Sequence, residues 1–248
     1  MAESIFNQGL LDFENLETLR IDRYSENAEI SWNETLMFRA AKYGGKDCTI
    51  ILDHQGQITL VNRPLRKTIE NFSRRMRISE FEVQCYAGYL NFSYYVPCAR
   101  REYGMFRLHG SDTEDNIWVM RHKVDQYSAL KEDGMLCVSF KEGQHAKIRM
   151  DEKSFQKRMD AVDKVRETQD AFMKQKLIAF GYQKYENLGG EYQLEHSYLQ
   201  TNPYQMCDFY KHVAIDIVDH VLQRRYESSV TDEDRALIKQ LLGKPFRG

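Results

Sequence analysis

The spacing of hydrophobic residues changes once along this chain, near Asp151, and that change restricts the fold more than any other feature. Before it, apolar residues come in short runs rich in Ile, Leu, Val, Thr and Phe, such as TLMFRAA (35–41), DCTIILD (47–53) and QITLVN (57–62). Turn signals, KYGGK and HQGQ, separate them in the manner of β-hairpins. Further strand-like runs are YLNFSYYV (89–96), GMFRL (104–108), NIWVMRHKV (116–124), MLCVSF (135–140) and HAKIRM (145–150), the last two joined by KEGQ. After Asp151 the period is helical. Phe155, Met159 and Val162 share one face, which Val165 and Phe172 extend toward Ile178. Met206, Tyr210, Val213, Ile217 and Val221 mark a second amphipathic helix. Thr231 with Asp234 reads as a capping box for a third, ended by Gly243 and Pro245. The pattern predicts an α+β fold: an antiparallel sheet with an inserted helix, followed by a helical C-terminal region.

The inserted helix is the segment RPLRKTIENFSRRMR. Leu65, Ile69 and Phe72 fall at i, i+4 and i+7, and Pro64 suits a first helical position. Six basic residues, Arg63, Arg66, Lys67, Arg74, Arg75 and Arg77, share this stretch with one acid, Glu70. The 248-residue chain carries a net charge of −2, so the concentration is local. Residues 57–110 hold nine Lys and Arg against four Asp and Glu, whereas residues 1–56 hold five against ten. Arg100, Arg101 and Arg107 follow within the same basic region. Arginine suits phosphate through its bidentate fork and suits a narrow minor groove through its weak hydration. A solvated helix face accounts for the same charges.

Little else carries chemistry. No GxGxxG, HExxH or GxSxG occurs, and GGKDCT (44–49) lacks the spacing of a phosphate-binding loop, which leaves a tight turn. Seven histidines are scattered, and five cysteines (Cys48, Cys85, Cys98, Cys137, Cys207) form no CxxC. The expectation is therefore a non-enzyme with no metal or cofactor, in a reducing cytoplasm, with no membrane association. Six tyrosines between Tyr182 and Tyr210 offer either a base-stacking surface or anchors for an irregular loop.

The order of elements from about Ala28 to Met159 resembles the family of the competence transcription factor ComK. The resemblance lies in AEISWNETLMFRAA, GGKDCTIILDHQGQ, the proline-leucine start of RPLRKTIENFSRR, the single Trp118 of NIWVMRHKV, and the closing VSFKEGQHAKIRMDEKSFQKRM. Two departures stand out: NFSRRMRIS replaces the family's cysteine, aromatic and Gly-Ser-Ser run, and residues from about Gly181 onward have no counterpart. The resemblance implies a cytoplasmic transcription activator that binds double-stranded AT-rich DNA through the minor groove as a homo-oligomer, and that an adaptor delivers to a Clp-type protease. It divides the chain into an acidic N-terminal extension (1–27), a β-rich DNA-binding domain (28–160) and a helical region for regulation or oligomerisation (161–248). The DNA-contacting residues are then Arg63, Arg66, Lys67, Arg74, Arg75, Arg77, Arg100, Arg101 and Arg107. The other reading is a protein-interaction module that uses the C-terminal helices and exposed aromatics and binds no nucleic acid.

Overall fold

A computed structural model describes residues 10–92, 97–108, 117–131, 134–179, 204–226 and 229–242. Three strands come first in order: β1 (Leu10–Asp12), β2 (Arg23–Ser25) and β3 (Thr35–Tyr43). Then follow β4 (Lys46–Asp53), β5 (Ile58–Val61), α1 (Leu65–Met76) and α2 (Glu80–Tyr89). The second half of the sheet structure is β6 (Cys98–Arg100), β7 (Tyr103–Arg107), β8 (Ile117–Met120), β9 (Val124–Ala129), β10 (Met135–Phe140) and β11 (His145–Arg149). Three helices close the chain: α3 (Glu152–Ala179), α4 (Tyr204–Tyr226) and α5 (Asp232–Leu242). Two compact units divide it, one of Met1–Ala87 with Phe92–Arg166 and one of Gly88–Asn91 with Glu167–Gly248.

The α+β architecture matches the expectation, with three differences inside it. First, the strands of the first unit make two sheets, ordered β1-β11-β10-β9 and β2-β5-β4-β3-β8-β7-β6. Each is antiparallel except at one edge, where β1 runs parallel to β11 and β2 parallel to β5. Those edge strands come from the acidic N-terminal segment, where the three-residue runs LLD and RYS are too short to show a strand period. Second, NIWVMRHKV is not one strand. A 3-10 turn at Arg121–Lys123 breaks it, so β8 joins the large sheet and β9 the small one. Third, the segment read as the strand 89–96 begins at the end of α2, a helix that its weakly periodic sequence EFEVQCYAGY concealed; residues 93–96 lie outside the described set.

Burial explains the register of the large sheet. In β3, Leu36, Met37, Phe38 and Arg39 are all buried, as expected of a central strand covered on both faces. Arg39 is 1% exposed. Its Nη1 donates to the carbonyls of Phe13 (2.5 Å) and Glu14 (2.9 Å), tying the segment after β1 to the sheet. On one face of the sheet Leu65 and Phe72 of α1 join Ile30, Trp32, Phe38, Ile51, Val61, Cys98, Met105 and Met120 in a single apolar cluster. The Phe72 ring meets Trp32 edge-on at 4.9 Å. Trp32 in turn stacks on Tyr103 at 5.5 Å. Phe155 of α3 contacts Phe106 (5.3 Å) and Tyr127 (5.0 Å). Gly104 of β7 has no room for a side chain, because a Cβ there would stand 2.2 Å from Cγ1 of Val162.

The stripe expected on α3 is buried at Phe155, Met159, Val162, Val165 and Phe172. In α4 most of the expected face is turned outward, Val213 being half-buried and the Met206 side chain lying outside the described residues. Tyr210, Ile217 and Val221 are exposed, while Phe209 and Ile215 on the other side are buried. Phe209 packs against Tyr89 (5.5 Å) and Phe172 (4.7 Å) within the second unit. The capping box at the start of α5 is present: Asp234 N–H donates to Thr231 Oγ1 and Thr231 N–H to Asp234 Oδ2, both at 3.1 Å. These bonds hold the Asp234 carboxyl below its ordinary pKa. Gly243, Pro245 and the tyrosines from Tyr182 to Tyr198 lie outside the described residues.

Candidate nucleic-acid interface

Helix α1 is positioned by polar bonds at its start and apolar contacts along its length. Pro64 stands at the N-cap, one place before the first helical position that its sequence suggests, and contributes no side-chain cap. The start is instead pinned from β4. Thr49 Oγ1 lies 3.0 Å from Thr68 Oγ1 and donates to the Arg63 carbonyl at 2.8 Å. Leu65, Thr68 and Phe72 are buried, and Ile69 and Met76 pack beside them. The opposite face carries Arg66, Lys67, Glu70, Arg74 and Arg77, all exposed. No acid occupies the first turn. The uncapped amide groups there add to the charge of Arg66 and Lys67 rather than opposing it.

The nine basic residues anticipated as contacts have different jobs in the structure. Arg66 has a side chain 90% exposed and reaches Glu70 at 3.1 Å. Such an exposed pair is worth about 0.3–0.5 kcal/mol, so it yields easily to a phosphate. Lys67 and Arg74 are exposed with no ion-pair partner among the described residues. Arg75 is not on this face. Its guanidinium is spent on the Glu29 carboxylate and the Ile30 carbonyl. Arg63 is likewise a brace, its Nη2 donating to the Glu26 carbonyl at 3.0 Å. Glu29 and the Glu26 carbonyl thus hold both ends of α1, a role hidden in the sequence because the partners lie 46 and 37 positions away.

Arg77 ends the helix at φ 53°, ψ 43°, the left-handed position where glycine is the usual residue. Its N–H bonds to the Arg74 and Ser73 carbonyls, and Ile78 N–H to Ser73 O at 2.8 Å. Arg101, in the turn between β6 and β7, also has a left-handed φ of 54°. Two arginines therefore occupy backbone positions that cost a side chain about 1–2 kcal/mol. Arg100 and Arg101 are exposed, and Arg107 is half-buried. These three sit on β6, β7 and the turn between them, which form the edge of the large sheet opposite β2; Leu65 and Phe72 of α1 share an apolar cluster with Cys98 and Met105 of those strands. Helix α3 steadies that edge: Arg166 Nε donates to the Arg101 carbonyl and Arg158 Nη1 to the Arg107 carbonyl, each at 2.9 Å.

Among the described residues, His122 and four cysteines are taken up in packing. His122 Nε2–H donates to the Trp32 carbonyl at 2.7 Å, and its Nδ1 lies 3.4 Å from the Gly104 amide. Burial pushes its pKa below the ordinary histidine value. Cys48, Cys85, Cys98 and Cys137 are buried thiols that form no disulfide. Burial drives Cys98 up to about 12, which removes it from nucleophilic chemistry at neutral pH. Among the described residues no group of His, Cys, Asp or Glu is arranged to hold a metal ion. No helix among them is long and apolar enough to cross a membrane.

The fold and the site define a mixed α+β protein that displays a cationic helix on the outside of a sheet. A family model described as ComK protein matches residues 25–172, more than half of the chain, and the protein belongs to that family. The family is one of competence transcription factors and not of enzymes. Its match encloses the stretch 28–159 over which the sequence resembles it and runs on through α3 to Phe172. Comparison with curated proteins and with solved structures gave no match.

Proposed function

We propose that this protein is a cytoplasmic transcription regulator that binds double-stranded AT-rich DNA through the outer face of α1. The observation that carries the reading is the sorting of charge on one helix: Arg66, Lys67, Arg74 and Arg77 face solvent, while Arg63 and Arg75 are used as braces. A cationic helix held rigidly on a sheet gains from the narrow, strongly negative minor groove of A-tracts without base-specific bonds. Arg100 and Arg101, at the other edge of the sheet, extend the contact along the duplex. The β-rich body of residues 28–160, with the strands of the acidic 1–27 segment on its edges, is the DNA-binding part, and residues 161–248 serve regulation or oligomerisation.

Self-association is supported by α4. Tyr210, Ala214, Ile217 and Val221 follow one another at intervals of four, three and four, the spacing of a coiled-coil seam. Its large members are exposed, Ile217 by 47%. The same stripe favours the second reading, a protein-interaction module that binds no nucleic acid and offers this surface to another protein; under the first reading an adaptor of a Clp-type protease is a candidate partner for it.

The test is a salt-resolved gel shift with AT-rich, GC-rich and single-stranded probes. AT-rich duplex is expected to bind best, with affinity falling steeply as salt rises. The double reversal Lys67→Glu/Arg74→Glu is expected to abolish the shift with an unchanged circular-dichroism spectrum. Equal binding by the folded double variant and the parent sinks the assignment of α1.

A further inference from the structure

The turn that leads into β3 presents an amide side chain beside the cationic helix. Thr35 N–H donates to the Ser31 carbonyl at 3.0 Å, and Ser31 N–H donates to Thr35 Oγ1 at 2.9 Å. Within this closed turn Trp32 is buried and Asn33 is exposed. The Tyr103 hydroxyl donates to Asn33 Oδ1 at 3.2 Å. The other end of the amide, Nδ2, carries two N–H donors. They have no hydrogen-bond partner among the described residues.

Direct contacts place this turn against α1. Arg75, in the last turn of the helix, reaches the Glu29 carboxylate and the Ile30 carbonyl, so the segment that carries Asn33 runs along the C-terminal end of α1. Asn33 follows Ile30 within about 10 Å of chain. Trp32 meets Phe72 of α1 edge-on and stacks on Tyr103 with 14° between the ring planes. Tyr103 packs against the apolar cluster that contains Leu65 and Phe72, and so lies on the face of the large sheet that carries α1. Its cross-strand partner is the exposed Arg100, whose side chain emerges on that face too. Two elements bring cations to the neighbourhood of the amide, α1 with Arg74 and Arg77 and β6 with Arg100.

A neutral donor has a particular use in such surroundings. In the minor groove A·T and T·A pairs present only the acceptors A N3 and T O2, whereas a G·C pair adds the guanine N2 amino donor. An outward Nδ2 bonds the first and opposes the second. That discrimination needs an amide that does not flip, because an outward Oδ1 would accept from guanine. Tyr103, stacked on Trp32 and held edge-on by His122 at 5.1 Å, keeps its hydroxyl on Oδ1 and so keeps Nδ2 outward.

We infer that Asn33, oriented by Tyr103, reads A·T pairs in the minor groove of the duplex that α1 binds. The inference rests on the reading of α1 as a DNA-binding element and deepens it. The arginines of α1 and β6 hold the phosphates, and Asn33 contributes part of the preference for AT-rich sequence.

Fluorescence anisotropy with labelled AT-rich and GC-rich duplexes, over a series of salt concentrations, tests it on the full-length protein. Asn33→Ala is expected to weaken AT-rich binding about fivefold, the worth of one hydrogen bond, and to leave GC-rich binding as it is. It removes no charge, so the slope of log affinity against log salt should not change. Tyr103→Phe keeps the ring stack and frees the amide to turn. It is expected to tighten GC-rich binding, a gain that misfolding cannot mimic. Lys67→Ala and Arg74→Ala, by contrast, should weaken both duplexes alike and flatten the salt slope. If Asn33→Ala and Tyr103→Phe both keep the parent's ratio of AT-rich to GC-rich affinity while the α1 variants weaken binding, Asn33 reads nothing and only the helix contact survives. If the α1 variants also bind like the parent, the reading of α1 falls and this inference falls with it.

Discussion

Arg77 concentrates the tension between stability and binding in one residue. Its left-handed φ favours glycine, yet an exposed arginine occupies it. Arg77→Gly is therefore expected to raise thermal stability, by up to about 1 kcal/mol, while weakening duplex binding; a melt and a gel shift on the same sample separate the two effects. Gly104 behaves oppositely, because here a side chain is excluded by packing. Gly104→Ala forces its Cβ onto Val162 and is expected to cost about 1–3 kcal/mol in denaturant titrations. His122 adds a pH dependence. Its folded pKa lies below the unfolded value because it is buried, with Lys123 and Arg166 opposing its protonation. The unfolded chain therefore takes up the proton first. Stability from this residue is fully present above about pH 6.5, the unfolded pKa, and is lost as the pH falls below it. A His122→Gln variant should lack that part of the slope.

At the scale of the element, α1 shows how much of a site a sequence can disclose. Its apolar spacing, at Leu65, Ile69 and Phe72, marks the inward face, and those positions are buried or half-buried. The charged face then follows from geometry, at 100° per residue. The use of Arg63 and Arg75 does not follow, because a brace depends on which distant carbonyl or carboxylate comes within reach. Glu29→Ala is accordingly expected to release Arg75, loosen the C-terminal turn of α1 and lower stability by about 1 kcal/mol; hydrogen exchange of the α1 amides reports the loosening. Helix α4 illustrates the opposite case. Its apolar stripe is legible, but periodicity identifies an apolar face without saying whether this chain or another covers it, and here Phe209 and Ile215 take the inner side. The strand split at Arg121–Lys123 was illegible for a similar reason: Val119 and Val124 are both buried, and the sequence does not show that they belong to different sheets.

At the scale of the whole molecule, the two units allow binding and assembly to be perturbed separately. Charge introduced on the α4 stripe, as Ile217→Lys/Val221→Lys, is expected to shift the protein toward monomer in sedimentation or light scattering while leaving the sheets of the first unit folded. If the double variant keeps the parent's mass in solution, the stripe is not the self-association surface. The acidic N-terminal segment gains meaning only at this scale. Its composition suggests an appendage, whereas β1 and β2 complete both sheets and Arg39 locks the segment after β1 through backbone carbonyls.

Those two edge strands also set the order in which the protein can assemble. β2 pairs with β5, some tens of residues away, but β1 has to wait for β11: Leu10 finds His145 as its partner, and the Arg149 amide donates to Glu14 across 135 residues. Closing so long a loop is paid for in chain entropy before any pairing rewards it, and topologies rich in such contacts fold slowly. The small sheet therefore spends part of its folding time with β11 unpaired at its rim. Until β1 arrives, that rim is an open template for a neighbouring chain. Truncating the segment through Asp12 should leave the large sheet able to form and make the protein more prone to aggregate during refolding, which turbidity on dilution from denaturant would record.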